Sequence, residues 1–237
     1  VTSPILELTN TVKDYRGLRP LRIERLEVIS SESVALVGLD EVMAEVFVNL
    51  VTGGALPDAG EVRIFGRSSS TISDSTEWLA VVDRFGIVSR RAVLLEAFTL
   101  LQNVAVPFTL DIESIPADVE SRVVNLAREV GLPDAAWNSA VATLDAASQV
   151  RVRLARALAL DPDVVLLEHP TVGVDRQHVG PLGEHIRTVA RRRGAAVVAL
   201  TGDNAFANAV ATRVLTLDAS TGRLTDRRGF FSRLRHR

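Results

Sequence analysis

Residues 153–175 read ArgLeuAlaArgAlaLeuAlaLeuAspProAspValValLeuLeuGluHisProThrValGlyValAsp. Two kinds of structure follow one another in this stretch. A helix is predicted over Ser148 to Leu160. Asp163 to Leu167 is a short unbroken apolar run, the pattern of a strand covered on both faces.

The same pattern occurs on either side. Ser33 to Gly38 (SerValAlaLeuValGly) is an apolar run ending in glycine, and Ala195 to Thr201 is another buried strand. Glu41 to Leu50 spaces Val42, Val46, Val48 and Leu50 among polar residues, a helix that stops at the pair Gly53 and Gly54. Buried strands separated by helices predict a parallel sheet with helices on its faces. Around this core, Leu6 and Leu8, then Leu21, Ile23, Leu26 and Val28, read as antiparallel strands joined by a turn at Tyr15 to Pro20. Gly60 to Gly66 alternates as a short strand, and Arg67 to Thr76 reads as a loop from its serines and threonines. Val119, Val123, Leu126, Ala127 and Val130 fall at helical spacing behind Pro116. Residues 89–157 are expected to be mostly helical, and Arg213 to Leu217 with Gly222 to Thr225 a terminal hairpin.

Composition sets outer limits. With 237 residues, 47% of them hydrophobic, the chain buries one core, and a net charge of −2 argues against a globally basic nucleic-acid binder. Cysteine is absent, which excludes disulfides, thiolate metal sites and thiol redox chemistry. The first residues lack the pattern of a secretory leader, and no run approaches the roughly 18 apolar residues of a membrane span. The expectation is a soluble, cytoplasmic chain. Basic residues are arginine with one exception, Lys13.

From about Ile5 to Leu224 the order of elements and their phrases resemble the ABC transporter ATP-binding subunit. ValAlaLeuValGly (34–38) resembles the strand entering the Walker A loop, and residues 49–66 resemble the helix end and strand after it. PheThrLeuLeuGlnAsnValAlaValPro (98–107) resembles the segment after the Q-loop. Residues 153–175 resemble the signature helix, Walker B strand and D-loop. AsnValAlaValPro (103–107) and the helix Ile115 to Leu132 are most similar to the lipid and lipoprotein export branch. The resemblance implies a P-loop NTPase-like α/β cassette: a mostly parallel core sheet, an antiparallel N-terminal β subdomain and a helical subdomain. Residues 1–88 with 158–226 would form the core, 89–157 the helical subdomain and 227–237 a basic tail.

The phrases that carry chemistry in that family are altered. ATP binding there needs a glycine-rich loop around the phosphates, a lysine, and a hydroxyl on Mg²⁺. The corresponding residues are Gly38, Leu39, Asp40, Glu41, Val42, Met43, Ala44 and Glu45. Ala44 stands in place of the lysine, Glu45 in place of the hydroxyl residue, and Glu41 and Met43 in place of glycines. Lys13 lies before the first core strand, so no shift of register supplies the lysine. The carboxylates of Asp40, Glu41 and Glu45 would repel a triphosphate by about 1 kcal/mol per contact in water and more where partly buried. Glu41 or Glu45 either caps the helix N-terminus in place of phosphate or is a solvated acid.

The Walker B carboxylate and the glutamate after it match Glu168 and His169. His169 is a catalytic base in one reading and a structural residue in the other. The signature loop reads Leu144, Asp145, Ala146, Ala147, Ser148, Gln149, with aspartate for the family's serine and alanines for its glycines. The Q-loop glutamine matches Arg90 and the switch histidine matches Gly202. Tyr15 matches the adenine-stacking position or is a turn aromatic, and Gly173 and Asp175 match the D-loop.

These losses imply a pseudo-ATPase that keeps the fold for docking on an ABC permease or a second cassette subunit, as homodimer or heterodimer, peripheral to the inner face of the membrane. No cofactor is assigned, with weak ATP or Mg²⁺ binding through Tyr15 left open. The alternatives are an ATPase of unusual chemistry using Glu168 and His169, and a soluble module that has given the cleft to another ligand. Phe230, Phe231, Leu234 and the tail arginines either meet a membrane surface or partner, or form a disordered charged end.

Overall fold

The structure is a computed structural model that describes residues 3–226. The expectation for Phe230, Phe231, Leu234 and the tail arginines lies outside the described residues. Four strands make an antiparallel sheet in the order β2-β1-β4-β5: β1 (Pro4–Lys13), β2 (Leu21–Ile29), β4 (Ala59–Ile64) and β5 (Arg67–Ser68). Six make the core sheet, in the order β10-β9-β3-β8-β7-β6. These are β3 (Ser33–Val37), β6 (Phe85–Val88), β7 (Val164–Glu168), β8 (Ala196–Leu200), β9 (Arg213–Leu217) and β10 (Leu224–Asp226). All neighbours in the core sheet are parallel except the edge pair β9 and β10.

Side-chain alternation divides the core. In β3, Val34 and Leu36 pack with Leu6, Leu8 and Phe47 on one face, while Ala35 points to the other. In β7, Val164 and Leu166 join the first face, Val165 and Leu167 the second. Both faces are covered, so these strands carry no polar alternation, as their apolar runs predict. The first face holds the antiparallel sheet and α1 (Glu41–Val51). On the second lie α3 (Leu100–Ala105), α4 (Ala117–Glu129), α5 (Ala146–Ala157), α6 (Arg176–Arg193) and α7 (Asn204–Val210). A short helix α2 (Ser75–Val82) precedes β6 and has no buried residue.

The stretch Arg67 to Thr76, expected as a loop, holds β5, a 3-10 turn at Ser69–Thr71 and the start of α2. Asp74 accepts the Glu77 N–H at 2.9 Å and starts that helix, so its serines and threonines, all but the buried Ser69 at least partly exposed, do not mark irregular chain. Two further elements are not among those expected from the sequence. β6 is four residues long and contains Gly86. α6 is the longest helix described; its buried Val179, Leu182, Ile186, Val189 and Ala190 fall at helical spacing, but Gly180, Pro181 and Gly183 lower its propensity. Gly183 is there for packing, since a Cβ at that position would lie 2.9 Å from Ala209 Cβ and push α6 off α7.

Candidate functional site

The C-terminal ends of β3, β6 and β7 open onto a cavity of about 400 Å³. This is the side of a parallel sheet where ligands generally bind. Glu41, Glu45, Arg90, Glu168 and His169 line it, together with Ser89 and Arg91. Five of the residues expected at the site from sequence are therefore brought together.

The turn from β3 into α1 is short. Gly38 has φ +103°, and a Cβ there would lie 2.9 Å from the Leu217 carbonyl oxygen, so its glycine is required by the backbone path and by β9. Only Leu39 and Asp40 separate it from α1. Asp40 is the helix cap: its Oδ1 accepts the Met43 N–H at 2.8 Å. The expectation that Glu41 or Glu45 caps this helix is corrected. Asp40 stands one residue before the first turn, where a side-chain oxygen reaches the third amide, whereas Glu41 and Glu45 lie inside the helix. Glu41 is exposed in the first turn, where its charge favours the helix dipole.

Ala44 is fully buried within the first-face core. Starting the helix at Glu41 turns this position inward, and Met43 packs against the same core. Met43 and Ala44 therefore do not line the cavity.

Glu45 is tied to a residue the sequence reading did not select. Arg91 reaches Glu45 Oε1 at 2.9 Å and grips Glu168 with two bonds, Nη2 to Oε2 at 2.6 Å and Nε to Oε1 at 3.2 Å. A turn aims it: Ser89 Oγ accepts the Arg91 N–H at 3.1 Å, and the Ala92 N–H donates to the Ser89 carbonyl at 3.1 Å. The Glu168 side chain is 8% exposed against 44% for Arg91, so the guanidinium shields a buried carboxylate from water. The bond to Glu168 above all, with Glu45 adding, pushes the Arg91 guanidinium above its ordinary pKa. An arginine directly after Arg90 is the only trace of this role in the sequence; its target emerges only when β6 and β7 lie side by side.

His169 follows at the end of β7 with φ +43°, and its N–H donates to the Leu200 carbonyl at 2.9 Å. Its Nε2 is buried and has no hydrogen-bond partner among the described residues. Arg90, next to Arg91, is exposed and turns toward α5.

Asp145 repeats the arrangement of Asp40 at the start of α5, accepting the Ser148 N–H at 2.7 Å. Ala146 lies against the Gly173 loop, and Ala147 is buried. Asp175 precedes α6 without a side-chain cap bond. Gly202 is exposed, with open space where a side chain would stand. Asp145, Ala147, Asp175 and Gly202 do not line the cavity. Tyr15 folds back over Gly17 and packs on the first-face core. Burial first, then the charge of Asp40, raises the pKa of its phenol.

These residues do not fit Mg-ATP. A triphosphate needs free amides, a cation and room at the helix N-terminus. Here Asp40 takes the amide, Ala44 is buried, and Glu45 and Glu168 are engaged by Arg91. Among the described residues there is no cluster suited to a metal ion.

A glycine-ended parallel strand running into a helix, with a second parallel strand that ends in a carboxylate one strand away across β8, defines a P-loop-type nucleotide-binding fold. The sequence pattern of the ABC transporter family matches residues 26–172, and the chain belongs to that family. The lipoprotein-releasing system ATP-binding protein LolD 1 of Rhodopseudomonas palustris is 29% identical over 209 residues, 86% of this chain and 92% of that protein. The methionine import ATP-binding protein MetN of Brucella abortus is 28% identical over 218 residues, covering 92% of this chain; the chain spans 58% of that relative. Among solved structures, cbiO1 of Clostridium perfringens, part of the ABC transporter complex cbiONQ, superposes with a TM-score of 0.81 at 19% identity, over 97% of this chain and 91% of its own. The cassette MJ0796, in a dimeric post-hydrolysis state with ADP and Pi, gives 0.72 at 22% identity over 93% and 98%. The fold is thus the ABC cassette: a mostly parallel sheet, an antiparallel β subdomain and helices. No described helix is long and apolar enough to cross a membrane.

Proposed function

We propose that this chain is an ABC cassette subunit that keeps the fold for assembly and does not hydrolyse ATP. The observation that carries the reading is Arg91 bound to both Glu168 and Glu45 in the space between β7 and α1. A guanidinium there supplies positive charge to the carboxylates that a metal and triphosphate would otherwise satisfy. Asp40 and Asp145 act in the same sense at two helix starts.

The partner in this reading is the membrane permease of an ABC system, with a second cassette subunit or a second copy of the chain beside it. Such a subunit sits at the cytoplasmic face of the membrane. The segment Leu94 to Pro107 supports docking because it is firmly shaped. Asn103 is fully buried, accepts the Leu95 N–H at 2.8 Å, and donates to the carbonyls of Leu95 and Thr99 at 3.0 Å. The division into a core of 1–88 with 158–226 and a helical part of 89–157 belongs to the same proposal.

A second reading, hydrolysis by Glu168 and His169, has in its favour the unpartnered His169 Nε2 and the names of relatives described as ATP-binding proteins. Calorimetric titration of the purified chain with Mg-ATP separates the two, run beside a hydrolysis assay. The assembly reading expects no heat of binding at micromolar nucleotide and no turnover above background. Turnover that disappears in Glu168→Gln and His169→Ala would establish the second.

A further inference from the structure

In the division proposed above, the chain passes between core and helical part twice, out through the turn after β6 and back through the end of α5. Each passage is held by an arginine. On the way out, Arg91 binds Glu168 of β7 and Glu45 of α1, both in the core. The same turn is fastened to the helical part behind it: Arg153 Nε donates to the Ala92 carbonyl at 3.2 Å and Arg156 Nη1 to the Val93 carbonyl at 2.8 Å. On the way back, Arg193 at the end of α6 grips Glu129 of α4 with two bonds, Nη2 to Oε2 at 2.6 Å and Nε to Oε1 at 2.8 Å. Its Nη1 also donates to the Leu158 carbonyl, directly after α5, at 3.0 Å and to Asp161 at 3.1 Å. Earlier on α6, His185 Nε2 donates to the Glu129 carbonyl at 3.0 Å. The Arg193 and Glu129 side chains are 20% and 26% exposed, so water screens this pair little. The bond to Glu129 above all raises the Arg193 pKa.

We propose that these two clamps lock the helical part in one orientation against the core without any ligand, so that the turn after β6 is a fixed strut and not a hinge. This rests on the division and the assembly reading above. Apolar packing between the two parts is non-directional and lets them slide. An arginine holding a carboxylate by two bonds fixes direction as well as distance. Swinging the helical part would pull the Arg91 turn off β7 and leave Glu168, 8% exposed, as a buried charge without a partner. The same movement would part α4 from Arg193 at the other passage. Both clamps are made of this chain's own side chains, so the orientation does not wait for nucleotide.

The sequence has no cysteine, so introduced cysteines can be spin-labelled without background. Thr76→Cys on α2 and Glu120→Cys on α4 put labels at exposed positions of the core and the helical part. Double electron–electron resonance on the full chain should give one narrow distance, the same with and without Mg-ATP. Arg91→Met with Glu168→Gln opens the first clamp without stranding a charge, and Arg193→Gln with Glu129→Gln opens the second. Each pair should broaden the distribution, and both together should make it about twofold wider or more, as two freed hinges would. Urea midpoints check that each variant is folded; where the combined variant is not, the parent and the singly opened variants decide. A parent distribution already broad, or a width unchanged when the clamps are opened, would overturn the lock and leave the assembly reading standing. A parent distance shifted by Mg-ATP would overturn both.

Discussion

Glu168 is a buried carboxylate whose charge is met by one side chain, so the two residues are best perturbed together. Arg91→Met leaves that charge unpaired and should cost about 2 kcal/mol in urea unfolding, between the values for exposed and fully buried pairs. Adding Glu168→Gln should recover most of the loss, because the charge is then gone. Ala44→Lys tests the opposite change. Position 44 faces the core, so a lysine there should destabilise by about 2 kcal/mol or more and bring no calorimetric Mg-ATP binding. A separate residue sets an acid response. The Ser220 hydroxyl, then the Ser220 amide and Thr221, bring Asp218 down to a pKa of about 2 from 3.8. A folded pKa below the unfolded one stabilises fully above pH 3.8, and this is lost as pH falls toward 2. Urea midpoints measured from pH 5 to pH 2 should fall less steeply in Asp218→Asn than in the parent.

The starts of α1 and α5 share one device, an aspartate that satisfies the helix amides from within the chain. Removing it at α1 has two expected effects. Asp40→Ala should lose about 1 kcal/mol of stability. Inorganic phosphate should then raise the melting temperature of the variant while leaving the parent unchanged, as the helix start becomes an anion site. The elements also show what could be read in advance. β3, β7 and β8 were legible because a strand buried on both faces is an unbroken apolar run. α6 was not read, although Val179, Leu182, Ile186 and Val189 keep helical spacing, because Gly180, Pro181 and Gly183 are poor helix formers, and of these Gly183 is explained by its close contact with α7. At the site, the missing lysine was evident from Lys13 alone. The role of Arg91 was not, since its partners lie 46 and 77 positions away in the chain, and it takes the β6 to β7 pairing to bring Glu168 near and the packing of α1 to bring Glu45.

For the molecule as a whole, the two cores share one sheet, and the cavity lies where the turn after β6, α1 and the end of β7 converge. A ligand bound there would be felt as global stability, so millimolar Mg-ATP is expected to leave the melting temperature unchanged; binding at a hundred times the Kd would add roughly 2.7 kcal/mol. The Asp40 cap takes this further. A carboxylate three residues from the amide it serves is held by the backbone at an effective concentration that a freely diffusing anion cannot approach. The cleft thus carries its own permanent competitor. In the proposed role, such a subunit would present the same surface to its partner in a starved cell as in a well-fed one, making its assembly indifferent to the supply of nucleotide.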